Sequence, residues 1–309
     1  MLQFFTFLIP KEEDVVVSKP NLFILGTPRS ATTFLYRALA QHPQIFMSAV
    51  KEPSFFSYDE REPKWITPQN TRPNNLTWED YQNLFAGTDE YPIRGEASTA
   101  YLADGYAASR IKTRIGGSPH LVAVLRNPIN RAYSHYLYHR MLNVEPCASF
   151  EEAIADEPNR QRKGWNIQWR YLETGYYGKH LQNYIEIFGR ERLLILLHED
   201  IETPDQLFQG VFRFLGVDEK WQVKNLDHVN QSGVSKNLFA SWILKNRNPL
   251  RELGRRLLPR SARKGFRRLL TQEPPQLSQN TRDQLNERYG DDIAVTERLI
   301  GRSLESWRR

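Results

Sequence analysis

Cysteine is nearly missing from this chain: among 309 residues only Cys147 carries a thiol. A single thiol cannot close an internal disulfide, so nothing points to an oxidising compartment. It also excludes zinc sites built from three or four cysteines. Long apolar runs are lacking too. Mean hydropathy is -0.61, and the apolar opening Met1–Pro10 (MLQFFTFLIP) falls far short of the ~20 residues that cross a bilayer. It has no basic residues ahead of it and no small-residue cleavage site after it. It is therefore expected to be a strand or docking arm rather than a signal. Repeats and low-complexity stretches are absent. The expectation is a cytoplasmic protein, or one that lies against a membrane.

The apolar set makes up 40% and charged residues 25%, as in an ordinary soluble globule. A chain this long buries most of its apolar surface without staples. The 42 Lys and Arg against 36 Asp and Glu give a net charge of +6. That excess is local. Between Lys245 and Arg268 stand ten basic residues and one acid, Glu252, so the remainder of the chain is at -3. Leucines (Leu250, Leu253, Leu257, Leu258, Leu269, Leu270) interleave with these arginines, a pattern of basic amphipathic helices broken at Pro259. Three roles fit: a solvated basic face, a contact with an anionic membrane surface, or capture of an acidic carbohydrate or similar anionic acceptor. No groove-reading or base-stacking motif accompanies the charge, so nucleic acid is not expected as a partner.

Three apolar runs, Leu22–Leu25, Leu121–Leu125 and Leu193–Leu197, read as buried parallel strands. A weaker strand, Ile93–Ala97, is expected between the first two in sequence. Helices are expected over Thr32–Gln41, Ile129–Leu142, Tyr176–Phe188 (ending at Gly189) and Pro204–Leu215, the last capped by Thr203 and stopped by Gly216. Alternation of strand and helix predicts an α/β sheet with helices on both faces. Asp59–Asn75, polar and proline-rich, reads as an excursion. Residues 237–309 read as mostly helical, broken at Pro249, Pro259 and Pro274-Pro275. No boundary separates independently folding halves. The expectation is one domain over 1–309, with an α/β core at 20–236 and a helical basic extension at 237–309.

Two loops carry the chemistry. Asn21–Ala40 reads NLFILGTPRSATTFLYRALA: a strand ends at Gly26, and a helix begins near Thr32. Backbone N–H groups at such a helix start form an anion site. In the phosphate-loop pattern G-x-x-x-x-G-K-[ST], Gly26 takes the first position and Ala31-Thr32-Thr33 the last three. Thr32 thus replaces the lysine that reaches the β/γ-phosphates, which disfavours a nucleoside triphosphatase or a small-molecule kinase. Arg29, inside the loop, offers a forked guanidinium suited to phosphate or sulfate. His120–His139 reads HLVAVLRNPINRAYSHYLYH. Arg126 ends a strand there, where open α/β sheets bind ligands, and Ser134 follows on the second helical turn. The two could grip one phosphate together.

Taken together, G-T-P-R-S-x-T-T after a strand and L-R-N-P-x-x-R-A-x-S-x-Y about a hundred residues later resemble the sulfotransferases that use 3′-phosphoadenosine 5′-phosphosulfate (PAPS). The likeness is strongest to the bacterial and heparan-sulfate-type branch, and it extends over about residues 20 to 305. It implies a P-loop-like parallel sheet flanked by helices, with a helical C-terminal extension. It implies that Arg29, Ser30, Ala31, Thr32 and Thr33 bind the 5′-phosphosulfate, and Arg126 and Ser134 the 3′-phosphate. Lys51–Phe56 (KEPSFF) resembles the segment bearing the catalytic glutamate, which maps to Glu52. Gly95–Leu102 (GEASTAYL) resembles a G-E-x-[ST]-P-x-Y element bordering the active site. Gly175–Tyr184 (GYYGKHLQNY) resembles a helix start near the acceptor cleft. Asn230–Asn237 (NQSGVSKN) resembles a loop that closes over the nucleotide, placing Gly233, Ser235 and Lys236 near its phosphates. The tail Leu299–Trp307 also resembles bacterial members. Departures from the pattern include Ala97, where heparan-type enzymes often have a lysine, Ser54, where they often have a histidine, and Arg29, where some relatives have lysine.

The implied reaction moves SO₃ from PAPS to an acceptor hydroxyl, of a carbohydrate, lipid or other small alcohol, and leaves 3′-phosphoadenosine 5′-phosphate (PAP). In-line sulfuryl transfer needs positioning and charge stabilisation more than covalent work by the protein, and no metal is expected. Arg29 and the loop N–H groups would meet charge on the leaving oxygen, and Glu52 would act as general base. Glu96 is the rival base, unless it is a structural carboxylate holding Arg29 or Arg94. Histidines 42, 135, 139 and 180 form a third option. The adenine needs a flat apolar slot; the 12% of aromatic residues offer many candidates without singling one out, and Trp221, Tyr176 and Phe239 read mostly as core. A different class also fits: a catalytically inactive nucleotide- or polyanion-binding module on the same scaffold.

Overall fold

Residues 18–58, 67, 76–224, 234–235, 271–272 and 275–308 are described by the computed structural model. In chain order they form β1 (Leu22–Gly26), α1 (Thr32–Leu39), β2 (Ile45–Met47), α2 (Phe55–Tyr58), α3 (Trp78–Asn83), β3 (Ile93–Ala97), α4 (Ala107–Ile115), β4 (His120–Leu125), α5 (Pro128–Met141), α6 (Phe150–Ala155), α7 (Glu157–Arg162), α8 (Tyr177–Phe188), β5 (Leu193–Leu197), α9 (Pro204–Leu215), β6 (Val234–Ser235), β7 (Thr271–Gln272) and α10 (Gln279–Ile300). The first five strands make one parallel sheet in the order β2-β3-β1-β4-β5. β6 and β7 form a separate antiparallel pair.

Side chains alternate across each strand, and here both faces are buried. Phe23, Leu25, Leu121, Ala123 and Leu125 point into one core cluster, and Leu22, Ile24, Val122 and Val124 into the other. The first cluster is covered by α4, α5, α8 and α10, the second by α1 and α9. This explains why the strands read as continuous apolar runs. β1 holds the centre, with Leu22 opposite Gly95 of β3 on one side and His120 of β4 on the other. All five strands run the same way, so the loops after β1, β2, β3 and β4 open along one edge.

The expected strands are present, each within a residue of its expected limits. β2, three residues long, was not expected. α9 matches its expected range, and Gly216 ends it in the left-handed conformation at φ 70°. Thr203 occupies the N-cap position without capping the helix; its hydroxyl donates to the Asp200 carbonyl (3.3 Å) instead.

α10 lies along α8 with little room between them. A Cβ on Gly178 would come within 2.8 Å of Val295, and one on Gly175 within 2.6 Å of the Tyr289 hydroxyl. Asp292 of α10 accepts from the Gly178 N–H (2.9 Å) and the Lys179 N–H (3.1 Å), so it caps the start of α8. The two glycines of GYYGKHLQNY thus serve helix packing. The basic segment 245–268, Phe239, Gly233 and Lys236 lie outside the described residues, as do Met1–Pro10 and most of Asp59–Asn75.

Candidate active site

Gly26 ends β1 at φ 144°, and a Cβ there would sit 2.8 Å from the Thr99 carbonyl oxygen. Only glycine lets the tips of β1 and β3 approach this closely. The next residue, Thr27, keeps the chain on β4 through its N–H to the Val124 carbonyl (2.9 Å). Its hydroxyl pairs with that of Ser30 (2.6 Å). Arg29 and Ala31 both adopt φ 68°, a left-handed conformation that costs non-glycine residues about 1 kcal/mol or more each. Ala31 is the N-cap of α1 and makes no side-chain cap bond. The Phe34 N–H turns back to the Ala31 carbonyl (2.9 Å), which leaves the first-turn N–H groups of Thr32 and Thr33 for an anion.

The tip of β4 meets this loop. Arg126 Nη1 donates to the Arg29 carbonyl (3.0 Å), and Arg29 Nε donates to Ser134 Oγ (3.2 Å). The Arg29 guanidinium lies over the Tyr138 ring, 4.7 Å from its centroid. Asn127 fixes the start of α5 by accepting from the N–H groups of Ile129 and Asn130 (3.0 Å each). Its amide donates to the Trp307 carbonyl (2.9 Å), and the Tyr177 hydroxyl holds the Arg126 carbonyl (2.8 Å). Burial lowers the pKa of both arginines; Arg126 lowers Arg29 further, while Tyr138 opposes the fall. No ion pair among the described residues takes up either guanidinium. The charge of Glu199 acts on Arg126 without forming an ion pair, and two half-buried, adjacent cations so weakly countered are costly unless an anion joins them.

Glu52 stands beyond β2, also at φ 63°, with Ser54 at 54°. Its N–H donates to the Ala97 carbonyl (2.9 Å). Oε2 accepts from the Thr99 N–H (2.7 Å) and hydroxyl (3.1 Å), and Oε1 pairs with Lys51 Nζ (2.5 Å). The side chain remains 34% exposed. Thr99 thus joins Glu52 to Gly26 and the anion loop. Of the five non-glycine residues with positive φ among the described residues, four belong to these two loops, and such backbone strain gathers at functional sites.

Glu96, the rival base, is fully buried. It accepts from the hydroxyls of Tyr81 (2.9 Å), Tyr101 (2.8 Å) and Ser98 (2.6 Å). Burial pushes its carboxyl up to about 7, the Glu52 charge adds to the rise, and the three hydroxyl donors oppose it. It holds neither arginine named beside it in the sequence reading: Arg94 donates to the Lys19 and Tyr91 carbonyls. Instead it braces the Glu52 loop. Ser98 Oγ accepts from the Ser54 N–H (2.9 Å), and the Tyr101 hydroxyl from the Phe56 N–H (3.2 Å).

The histidines serve packing. His42 bonds the Asp218 carbonyl (3.1 Å) and His180 that of Glu173 (2.9 Å). His135 and His139, one turn apart on the buried side of α5, lie with ring centroids 4.4 Å apart and planes tilted by 52°. Burial drives His139 down to about 4. Trp221 packs on His42 ahead of β2, at the sheet edge opposite the loops. Tyr176 packs on Tyr289. Ser235 is placed through its backbone in β6, which lies beside α5. Sequence reasoning missed Thr27, Lys51, Thr99 and Tyr138. Tyr138 had a readable signal, since it lies one helical turn beyond Ser134.

A parallel α/β sheet, a strand-to-helix loop lacking the triphosphatase lysine and two arginines at neighbouring strand tips define a P-loop-like α/β protein. The chain belongs to the sulfotransferase domain family, whose model matches residues 19–273. It is 27% identical over 209 residues to the human bifunctional heparan sulfate N-deacetylase/N-sulfotransferase 2, covering 64% of this chain and 22% of that protein. Mouse carbohydrate sulfotransferase 15 is 26% identical, with 64% of this chain and 44% of that protein covered. The chain therefore spans less than half the length of these curated relatives. The crystal structure of a sulfotransferase from Alicyclobacillus acidocaldarius superposes with a TM-score of 0.72 at 26% identity, covering 95% of this chain and all of that one.

Proposed function

We propose that this chain transfers the sulfuryl group of PAPS to an acceptor hydroxyl, with a carbohydrate as the preferred acceptor class and Glu52 as the general base. The observation that carries the reading is the tie between Arg29 and Arg126 at the tips of adjacent strands: Arg126 Nη1 donates to the Arg29 backbone carbonyl (3.0 Å), and neither guanidinium is taken up by an ion pair among the described residues. Such a pair suits a ligand with phosphate groups at both ends of an adenosine. The uncapped start of α1 takes the 5′ end, and Arg126 with Ser134 takes the 3′-phosphate. The acceptor oxygen attacks sulfur while the bond from sulfur to the bridging phosphate oxygen breaks. The acceptor proton passes to Glu52, and PAP leaves with the charge. Positioning and fixed donors supply most of such a rate enhancement. Carbohydrate is favoured because the curated relatives named above include heparan sulfate and carbohydrate sulfotransferases.

The test uses ³⁵S-labelled PAPS with a panel of desulfated glycosaminoglycans, simple sugars and lipid alcohols. Glu52→Gln is expected to lower transfer by ~10²–10⁴-fold, while PAP binding by calorimetry stays within about twofold. Equal loss of both would reassign Glu52 to folding. PAP binding with no transfer to any acceptor, water included, would favour the inactive nucleotide-binding module. The segment 245–268 is proposed to draw either an anionic acceptor or an anionic membrane surface to the enzyme. Co-sedimentation with phosphatidylserine vesicles, lost at high salt, would assign it to the membrane.

A further inference from the structure

We infer that Thr99 is a positioning residue that selects which oxygen of Glu52 receives the acceptor proton; the inference rests on the reading of Glu52 as the base. A carboxylate oxygen offers two acceptor sites. On Oε2 both are taken, by the N–H and the hydroxyl of Thr99 at 2.7 and 3.1 Å. On Oε1 one is taken by Lys51 Nζ, which leaves one site free. The Glu52 side chain is 34% exposed, whereas Thr99 is buried at 7% exposure. The fastened oxygen faces the protein and the open one is Oε1.

The anchor itself is rigid. Ser98 N–H donates to the Ile24 carbonyl of β1 (3.1 Å), and the Thr99 carbonyl presses against Gly26. A carboxylate fastened there is held in register with the loop that begins at Gly26. This device belongs to the chain in hand. In the G-E-x-[ST]-P-x-Y pattern that residues 95–101 resemble, the position of Thr99 is proline, which has neither an N–H nor a hydroxyl to donate. Here the departure from the pattern supplies both donors.

The test follows release of ³⁵S-sulfate from labelled PAPS with water as the acceptor, so that no particular alcohol is required. In that reaction the water oxygen bonds to sulfur, the sulfur bond to the bridging oxygen breaks, and a water proton goes to Glu52 Oε1. Thr99→Val keeps the shape and removes the hydroxyl. It is expected to lower the turnover rate about tenfold, the size of one lost hydrogen bond to a charged group. PAP affinity and the melting temperature with PAP bound should stay near wild type. Thr99→Ser keeps both donors and should restore most of the rate. Unchanged turnover in Thr99→Val overturns the inference. So do equal losses in the valine and serine variants, or a parallel loss of PAP affinity, which would mark a structural role. Undiminished turnover in Glu52→Gln would instead overturn the base assignment, leaving Thr99 nothing to orient.

Discussion

Arg29 is held on three sides: Arg126 grips its carbonyl, Ser134 accepts from its Nε and Tyr138 lies beneath its guanidinium. The last contact is a cation–π pair, worth ~0.5–2 kcal/mol depending on solvent exposure. Tyr138→Leu should therefore weaken PAP binding by about twofold to thirtyfold, and Tyr138→Phe should retain most of the affinity, both read by calorimetry. Equal losses would mean that the hydroxyl, not the ring face, matters. At this scale the two motifs were legible because their chemistry is local: a glycine turn, a helix start, an arginine at a strand end. Thr99 and Tyr138 were not. Their contacts join residues 47 and 109 positions apart in the chain, and only the sheet order brings those together. The three hydroxyls around Glu96 were equally hidden, since two come from tyrosines on separate elements.

The strands announced themselves because both of their faces are buried. β2 did not, because three residues, one of them half-exposed, give no pattern to count. Helix limits came within two residues where a proline or glycine marks them, as at Pro128, Gly189, Pro204 and Gly216. The role of Thr203 was misjudged because its hydroxyl donates to the Asp200 carbonyl and accepts from no N–H of the first turn of α9. The α8–α10 contact yields a prediction at this scale. Gly178→Val forces branched bulk where even a Cβ would lie 2.8 Å from Val295. Overpacking of this kind costs ~1–3 kcal/mol, and a lowered melting temperature without change in the acceptor profile is expected. An unaltered melting temperature would show that α10 can shift freely.

Across the whole molecule, pH acts through buried groups of opposite sign. Glu96, facing Tyr81, Tyr101, Ser98 and the Glu52 charge, has its carboxyl raised from 4.5 to about 7. Between those values the folded state binds the extra proton, so this residue's contribution to stability falls as pH rises, by up to ~1.4 kcal/mol per pH unit. His139, lowered to about 4, works the other way between pH 4 and 6.5. Glu96→Gln removes the first effect and spares the second. Denaturation curves should show wild type losing stability relative to Glu96→Gln as pH climbs from about 4.5 to 7. A difference that stays flat over this range would mean Glu96 titrates as it does in the unfolded chain.

The Asp292 carboxylate on the opening turn of α8 has one more consequence. A helix start without such a partner would attract sulfated or carboxylated sugars through its partial positive charge. Here that attraction is already satisfied from within, by a side chain of α10. Any preference for a charged over a neutral acceptor must then come from side-chain cations such as Lys51, and it should weaken with added salt in the way that side-chain pairing does.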